Sequence, residues 1–366
     1  MIEQYLDDLE ARIDPTVENA LWESWVEFAD GEYERDLFIP TREQKALPAI
    51  PWPHIPINDG LEDYEAMARQ QLKGCSDALQ HGTGALMAVR CNYGTGIIPT
   101  LFGAEFFVMD READTLPTVV PLGGLEATNV DTALAAADST RAAARIKDLL
   151  DRGVPDLHSA LGGKVLEMAA YYGELIAPYP KIRRYVHIYH PDMQGPMDIV
   201  ELLWGSALFM ALIETPDLVT QLLELVTETY IAFMNEWAQL IPFDGDYTVH
   251  WSMLHRGHIM LRDDSAMNLS PAMFDRFIKP YDMRLLRELG GGGLHFCGRG
   301  DHYIDRMPEM EGLTAINMSQ PEYNEMERIY AHTVDRGINI IGLPLDEAEA
   351  ALARGRSLHG RVHCWA

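Results

Sequence analysis

His295 and Cys297 stand two residues apart in the segment GGGGLHFCGRGD. Side chains alternate along a strand, so both point to one face and Phe296 to the other. An imidazole and a sulfur on a shared face suit Zn2+, which takes nitrogen and sulfur ligands in a tetrahedron. Gly298 follows at once and ends the strand, which puts the pair near its C-terminal end. A third ligand is expected from another strand end. Cys364, in RVHCWA, is the natural candidate, with its neighbour His363 facing the other way. Three protein ligands would leave one position open for water or substrate, the pattern of a catalytic zinc. The plainer alternative remains open at this point: histidine and cysteine both pack in ordinary cores, with Cys364 a terminal bystander.

The other polar groups near strand ends are less specific. Asp263 and Asp264 precede SAMNLSP and make either a solvated turn or one wall of a pocket mouth. Gln194, in PDMQGP, and Gln320, in NMSQPE, each follow a strand and either orient a ligand or cap a loop. The NYGTG loop (92–96) lacks the Lys-Ser/Thr of a P-loop and the spacing of a dinucleotide fingerprint, so it reads as a tight turn. His187 and His190 are at odd spacing, face opposite ways and cannot both be ligands. Cys75 and Cys91 read as small buried apolar residues.

These groups need a scaffold that gathers strand ends. From about residue 84, short apolar or β-branched runs alternate with helix-period stretches. Strands are expected at 85–91, 105–109, 184–190, 247–252, 294–297, 314–318, 338–341 and 361–365. Helices are expected at 155–176, 198–212, 216–240, 271–289, 322–334 and 345–353, and in the Ala-rich stretch 132–144. Such alternation means parallel strands with crossover helices. The expected fold class is α/β, a (β/α)8 TIM barrel with an N-terminal helical extension. Residues 1–75 form that extension and a proline-rich connector, and 76–366 form the barrel. The N-terminal helices are expected to cover the place where an eighth outer helix is missing.

Composition narrows the function classes. The 366 residues carry 56 acids and 29 bases, a net charge of −27. So acidic a surface repels phosphate backbones and anionic lipid, which argues against nucleic-acid and membrane partners. Four cysteines are too few for a disulfide scaffold. The opening MIEQYLDDLE is unlike a signal peptide, and no apolar run is long enough to span a bilayer, so a cytoplasmic location is expected.

Three segments, in order, resemble motifs of the uroporphyrinogen decarboxylase superfamily: QGPMDIVELLWG, DDSAMNLSPAMFDRFIKPY, and LHFCG followed by INMSQPE. The resemblance covers most of the chain after about residue 85 and implies the same (β/α)8 fold. One branch of that superfamily is a cofactor-free decarboxylase; the other comprises zinc-dependent methyltransferases that move a methyl group between a corrinoid protein and a thiol. The chain lacks the decarboxylase's N-terminal Arg-Gln-Ala-Gly-Arg motif. It has no acid at 92–94, where that branch has its aspartate, and it has Leu202 and Asp264 where that branch has tyrosine and serine. The resemblance to the methyltransferase branch places that branch's His-x-Cys pair on His295 and Cys297 and its later cysteine on Cys364.

What this resemblance implies is a zinc-dependent methyltransferase with metal ligands His295, Cys297 and Cys364. Asp263 and Asp264 are the catalytic candidates, and Gln194, Gln320 and Asn92 the substrate-binding ones. One of Asp263, Asp264, Gln194 and Gln320 could also serve as a displaced fourth ligand. The implied cofactors are Zn2+ and a corrinoid on a partner protein. The expected partners are a small-molecule thiol or methylated substrate, that corrinoid protein, and a second copy of the chain in a homodimer. The alternatives are a cofactor-free decarboxylase with a basic pocket drawn from Arg90, Arg256, Arg262 and Arg299, and a non-catalytic barrel that binds a corrinoid or a thiol.

Overall fold

Apolar stripes and local caps set where the first helices lie. Helix Pro15–Asp30 opens on a proline, and the Asp14 side chain accepts from Thr16 N. Its stripe of Leu21, Trp25 and Phe28 is buried. The chain is described by a computed structural model over residues 2–122, 139–243 and 245–365. Within these residues the strands are β1 (Leu37–Phe38), β2 (Ala88–Val89), β3 (Glu105–Phe107), β4 (Thr118–Val120), β5 (His187–Ile188), β6 (Tyr247–His250), β7 (Met253–Arg256), β8 (Ile259–Arg262), β9 (Gly292–Phe296), β10 (Leu313–Met318), β11 (Asn339–Ile340) and β12 (Val362–His363).

The fold is mixed α/β. Strands β8, β9, β10, β11, β12 and β1 pair in that spatial order into one parallel six-stranded sheet. Strands β2 and β5 form a separate parallel pair. Among the described residues no ladder joins the two, so the closed barrel expected from the alternation is not formed as one continuous hydrogen-bonded ring. Several of these strands are only two residues long, which leaves few ladder bonds to close a ring. At the seam between β5 and β8, single bonds stand in for a ladder. Gly195 N donates to Arg262 O at 2.7 Å, and Met260 N donates to His190 Nε2 at 3.0 Å.

Two expected strands have another partner. Segment 105–109 holds β3, which pairs antiparallel with β4; segment 247–252 holds β6, which pairs antiparallel with β7. Conversely, the parallel strands β1 and β8 are additional to those expected, and β1 lies inside the first 75 residues. Expected helix 198–212 is two helices, Pro196–Trp204 and Leu208–Glu214, and 271–289 is Pro271–Phe277 and Lys279–Glu288. Of the Ala-rich stretch, 132–138 lies outside the described residues, and Ser139–Arg152 is helical.

The sheets have two different faces. Leu294, Phe296, Ile316, Ile340 and Val362 join the larger core, with the helices. Met260, Ala315 and Ile341, from the opposite face, pack with Val249, Met253 and Leu254 of the β6–β7 hairpin and with Trp25 and Phe28 of helix Pro15–Asp30. The helix is tied there by Trp25 Nε1, which donates to Gly84 O, and by Asn339 Nδ2, which donates to Phe28 O and Ala29 O. Among the described residues no single helix is long and apolar enough to cross a membrane.

Candidate metal centre

Register decides which side chains meet. Strand β9 is flanked by β8 and β10, with Arg262 and Asn317 both beside His295. Asp264 follows β8, Cys297 follows β9 and Ser319 follows β10, so their side chains gather at the C-terminal ends of three adjacent parallel strands. Crevices at this end are where parallel α/β sheets bind ligands. One ligand atom each from Asp264, His295 and Cys297 lies within 4.8 Å of the others. His295 Nε2 is 3.4 Å from Cys297 Sγ and 3.6 Å from Asp264 Oδ1. Tetrahedral zinc with ordinary bond lengths separates a nitrogen and a sulfur ligand by about 3.5 Å, and a nitrogen and an oxygen ligand by about 3.3 Å. The observed spacings match this, and sulfur, nitrogen and carboxylate oxygen are zinc's own donor types.

Strand β10 and the residue after it supply a partner to each of His295 and Cys297. Asn317 Nδ2 donates to Ile341 O at 2.6 Å, so its Oδ1 must face His295 Nδ1, also at 2.6 Å. Nδ1 therefore carries the proton and Nε2 presents its lone pair to Cys297 and Asp264. Such an outer hydrogen bond fixes tautomer and ring orientation in metal-ligating histidines. Burial holds the His295 imidazole below its usual pKa; Asp264 opposes that effect. The imidazole is thus neutral, as a ligand must be. Ser319 Oγ lies 3.4 Å from Cys297 Sγ. Without metal, burial and the nearby Asp264 push the Cys297 thiol up to about 11, with Ser319 opposing.

The turn that carries Asp264 is held from the helix side. Asp198, in the first turn of helix Pro196–Trp204, accepts from Asp264 N and Ser265 N, both at 2.8 Å, and from Ser265 Oγ. Gly195 lets that helix approach: a Cβ there would stand 2.4 Å from Arg262 O and 2.7 Å from Asp263 Oδ1. Asp264 Oδ1 in turn accepts from Cys297 N at 2.9 Å. Gly298 then turns the chain away at φ +69°, and its N donates to Gln320 Oε1 at 2.6 Å.

No family model matches the chain, and no curated protein matches it. Among solved structures it is similar to a methyltransferase from Methanosarcina mazei, with a TM-score of 0.57 and 18% identity over 85% of this chain and 82% of that one. At this identity the likeness shows the fold.

Cys364, the expected third ligand, is not brought into the cluster. Val362 pairs with Ile340, Ile340 with Ile316 and Ile316 with Leu294, so these four share a face. Cys364, two residues beyond Val362, lies on that same helix-facing side, opposite to His295 and Cys297. It is fully buried in the larger core, with Sγ 3.9 Å from Pro344 O. His363, expected to face away, instead lies on the ligand side of the sheet. It packs on Trp25 and Trp365, and its Nδ1 accepts from Gly342 N.

The remaining candidates divide. Asp263 is fully buried against Asp282, and burial raises both carboxyls, Asp282 to about 7; the Asp282 charge adds to the rise at Asp263, whereas at Asp282 the hydrogen bond with Asp263 opposes the rise and the Asp198 charge adds to it. It is therefore set back from the cluster that Asp264 joins. Gln320 holds the loop after Cys297. Gln194 Nε2 donates to Asp192 Oδ1 at 2.9 Å. Asn92 Nδ2 donates to Gln70 Oε1 at 3.3 Å rather than to a residue of the cluster. Sequence reasoning left out Asp192, which gathers two of the arginines named for the decarboxylase alternative. Arg262 Nε is 2.8 Å from Asp192 Oδ1, and Arg90 is 3.7 Å from its other oxygen. Burial would raise Asp192, but Arg262 and Arg90 outweigh it and hold it below the usual carboxylate range. Trp251 lies 5.3 Å from His295 between ring centroids. Asn317 lies in the INMSQPE segment, and strand alternation puts it on the same face as Ser319, but no ligand role follows from that; Trp251 lies in none of the three motif segments.

Proposed function

We propose that the chain is a zinc-dependent methyltransferase that moves a methyl group between a corrinoid protein and a thiol or related acceptor, on a (β/α)8 barrel. The observation that carries this is the convergence of Asp264, His295 and Cys297 at the strand ends, with the two spacings from His295 Nε2 close to those of tetrahedral zinc. The methyltransferase of similar fold supports it. His295, Cys297 and Asp264 would hold the ion and leave a fourth position for substrate. Bound there, zinc would lower a thiol's pKa and keep it as thiolate, the nucleophilic form. Asn317 holds the imidazole in its ligating tautomer, and Ser319 faces the cysteine sulfur. Arg262, Arg90, Gln194 and Asp192 form the polar wall that would orient the acceptor. A corrinoid protein partner and a cytoplasmic setting belong to the same proposal.

The decarboxylase alternative needs a basic pocket. Arg256 instead points to Asp30 and Asp246, and Arg299 pairs with Asp301. Arg262 and Arg90 share Asp192, so these three groups retain one net positive charge rather than a cluster of free arginines. The test is zinc analysis of the purified protein, followed by methyl transfer from methylcobalamin to a thiol with and without chelator. One zinc per chain and chelator-sensitive transfer are expected. Metal-free protein with full decarboxylase activity would reverse the order of the two.

A further inference from the structure

The β6–β7 hairpin is out of place in a parallel α/β alternation. Its side chains Val249, Met253 and Leu254 fill the face of the sheets opposite the helices. Its two-residue tip is Trp251-Ser252, with φ +47° and +64°. Such a turn ordinarily uses Asn-Gly, because side chains rarely adopt this backbone conformation. An indole at this position is strained and needs surroundings that hold it.

The surroundings do hold it. Four residue pairs set the register from Tyr247↔Arg256 to His250↔Met253. At the base, Tyr247 OH donates to Asp30 Oδ2 at 2.7 Å. At the tip, Ser252 O accepts from Leu86 N at 2.9 Å, which ties the turn to the chain entering β2. Inside, His255 Nε2 lies 3.4 Å from His250 Nδ1, and the His190 ring is 4.2 Å from His250. The indole itself is set against the metal centre. It meets the His295 ring edge-on at 5.3 Å and 69°, and the Arg262 guanidinium lies 4.7 Å over it. Arg262, 2% exposed, is held by Asp192. Trp251 is nevertheless half-buried, unlike Val249 and Leu254 on the same hairpin.

We propose that this hairpin is a rigid plug and that Trp251 is a specificity-determining wall of the metal pocket, admitting compact aliphatic thiols and excluding those with a ring beside the sulfur. This rests on the metal reading of Asp264, His295 and Cys297 given above. The plug reaches the site from the side opposite the helices, so the indole, rather than a strand side chain, would bound an acceptor on that side.

The experiment uses full-length wild type, Trp251→Phe and Trp251→Gly, loaded with Co2+ and titrated with 2-mercaptoethanol and with benzyl mercaptan. The thiolate-to-cobalt absorption reads binding, and elemental analysis reads metal per chain. Glycine suits the left-handed turn, so Trp251→Gly should fold; Trp251→Phe preserves an aromatic wall of smaller size. Wild type should favour 2-mercaptoethanol. Trp251→Gly should shift the preference towards benzyl mercaptan by about tenfold or more, the scale of added pocket volume, with Trp251→Phe between. An unchanged preference in both variants, with metal retained, overturns the proposal. Loss of metal from both variants also overturns it, since Trp251 would then hold the ligands rather than select among acceptors. Wild type that takes up no metal overturns the metal reading itself, and this inference with it.

Discussion

Asn317→Ala removes the one side chain that orients His295 from behind. Two hydrogen bonds of 2.6 Å disappear: the His295 Nδ1–H loses its acceptor and Ile341 O loses its donor. Leaving a buried polar group unpaired costs about 1–3 kcal/mol. His295 retains 12% exposure, so water relieves part of this. A loss of about 2–3 kcal/mol in the metal-free protein follows. The effect on metal is separate. Without Asn317 the imidazole can take the other tautomer, with its proton on Nε2, and the ring is free to turn. Losing such a partner typically lowers metal affinity 10–100-fold, or about 1.4–2.8 kcal/mol. Competition for zinc against a chromophoric chelator measures the second quantity, and urea unfolding of chelator-treated protein the first. Asn317→Asp separates the two, because a carboxylate still accepts from Nδ1–H but cannot donate to Ile341 O. It should lose stability while holding zinc better than Asn317→Ala. Unchanged zinc affinity in Asn317→Ala would refute the tautomer reasoning, whatever the stability.

Cys364→Ala should leave zinc stoichiometry unchanged and lower stability by about 1 kcal/mol for the lost apolar contact, whereas Cys297→Ala should lose the metal; elemental analysis compares them directly. Asp264→Asn should bind zinc more weakly than wild type, since it exchanges an anionic ligand for a neutral amide, and equal affinity would remove Asp264 from the ligand set. Gly195→Ala forces a Cβ to within 2.4 Å of Arg262 O, so it should destabilise by about 1–3 kcal/mol and weaken metal binding together. Burial holds the His255 imidazole down from 6.5 to about 4. As pH falls through that window the unfolded chain takes up a proton that the folded chain refuses, so stability is lost on acidification. His255→Asn lacks this group, and its urea midpoint should fall less than that of wild type over the same range.

Much of the scaffold was legible along the chain because its signals are local. Helix Pro216–Leu240 carries its proline start and its apolar stripe in plain order, and β9, β10 and β12 are short apolar runs beside glycine or polar punctuation. The hairpin reads along the sequence as part of the parallel alternation because β6 alone looks like any other short strand; its antiparallel partner begins after a turn of only two residues. Strand β1 has two residues and no periodicity of its own, and pairing with β12 alone makes it a strand.

The candidate site divides along the same line. That His295 and Cys297 share a face follows from the two-residue repeat of any strand, and it needs no knowledge of the rest of the molecule. Which third group joins them does not follow. Alternation relates side chains within one strand, but the face that a distant strand offers depends on its register, and a shift of one residue exchanges the two faces. Pairing from β9 through β12 turned Cys364 to the helices and His363 to the interior. The junction of β8 with helix Pro196–Trp204, pinned by Asp198, brought Asp264 to the metal position instead.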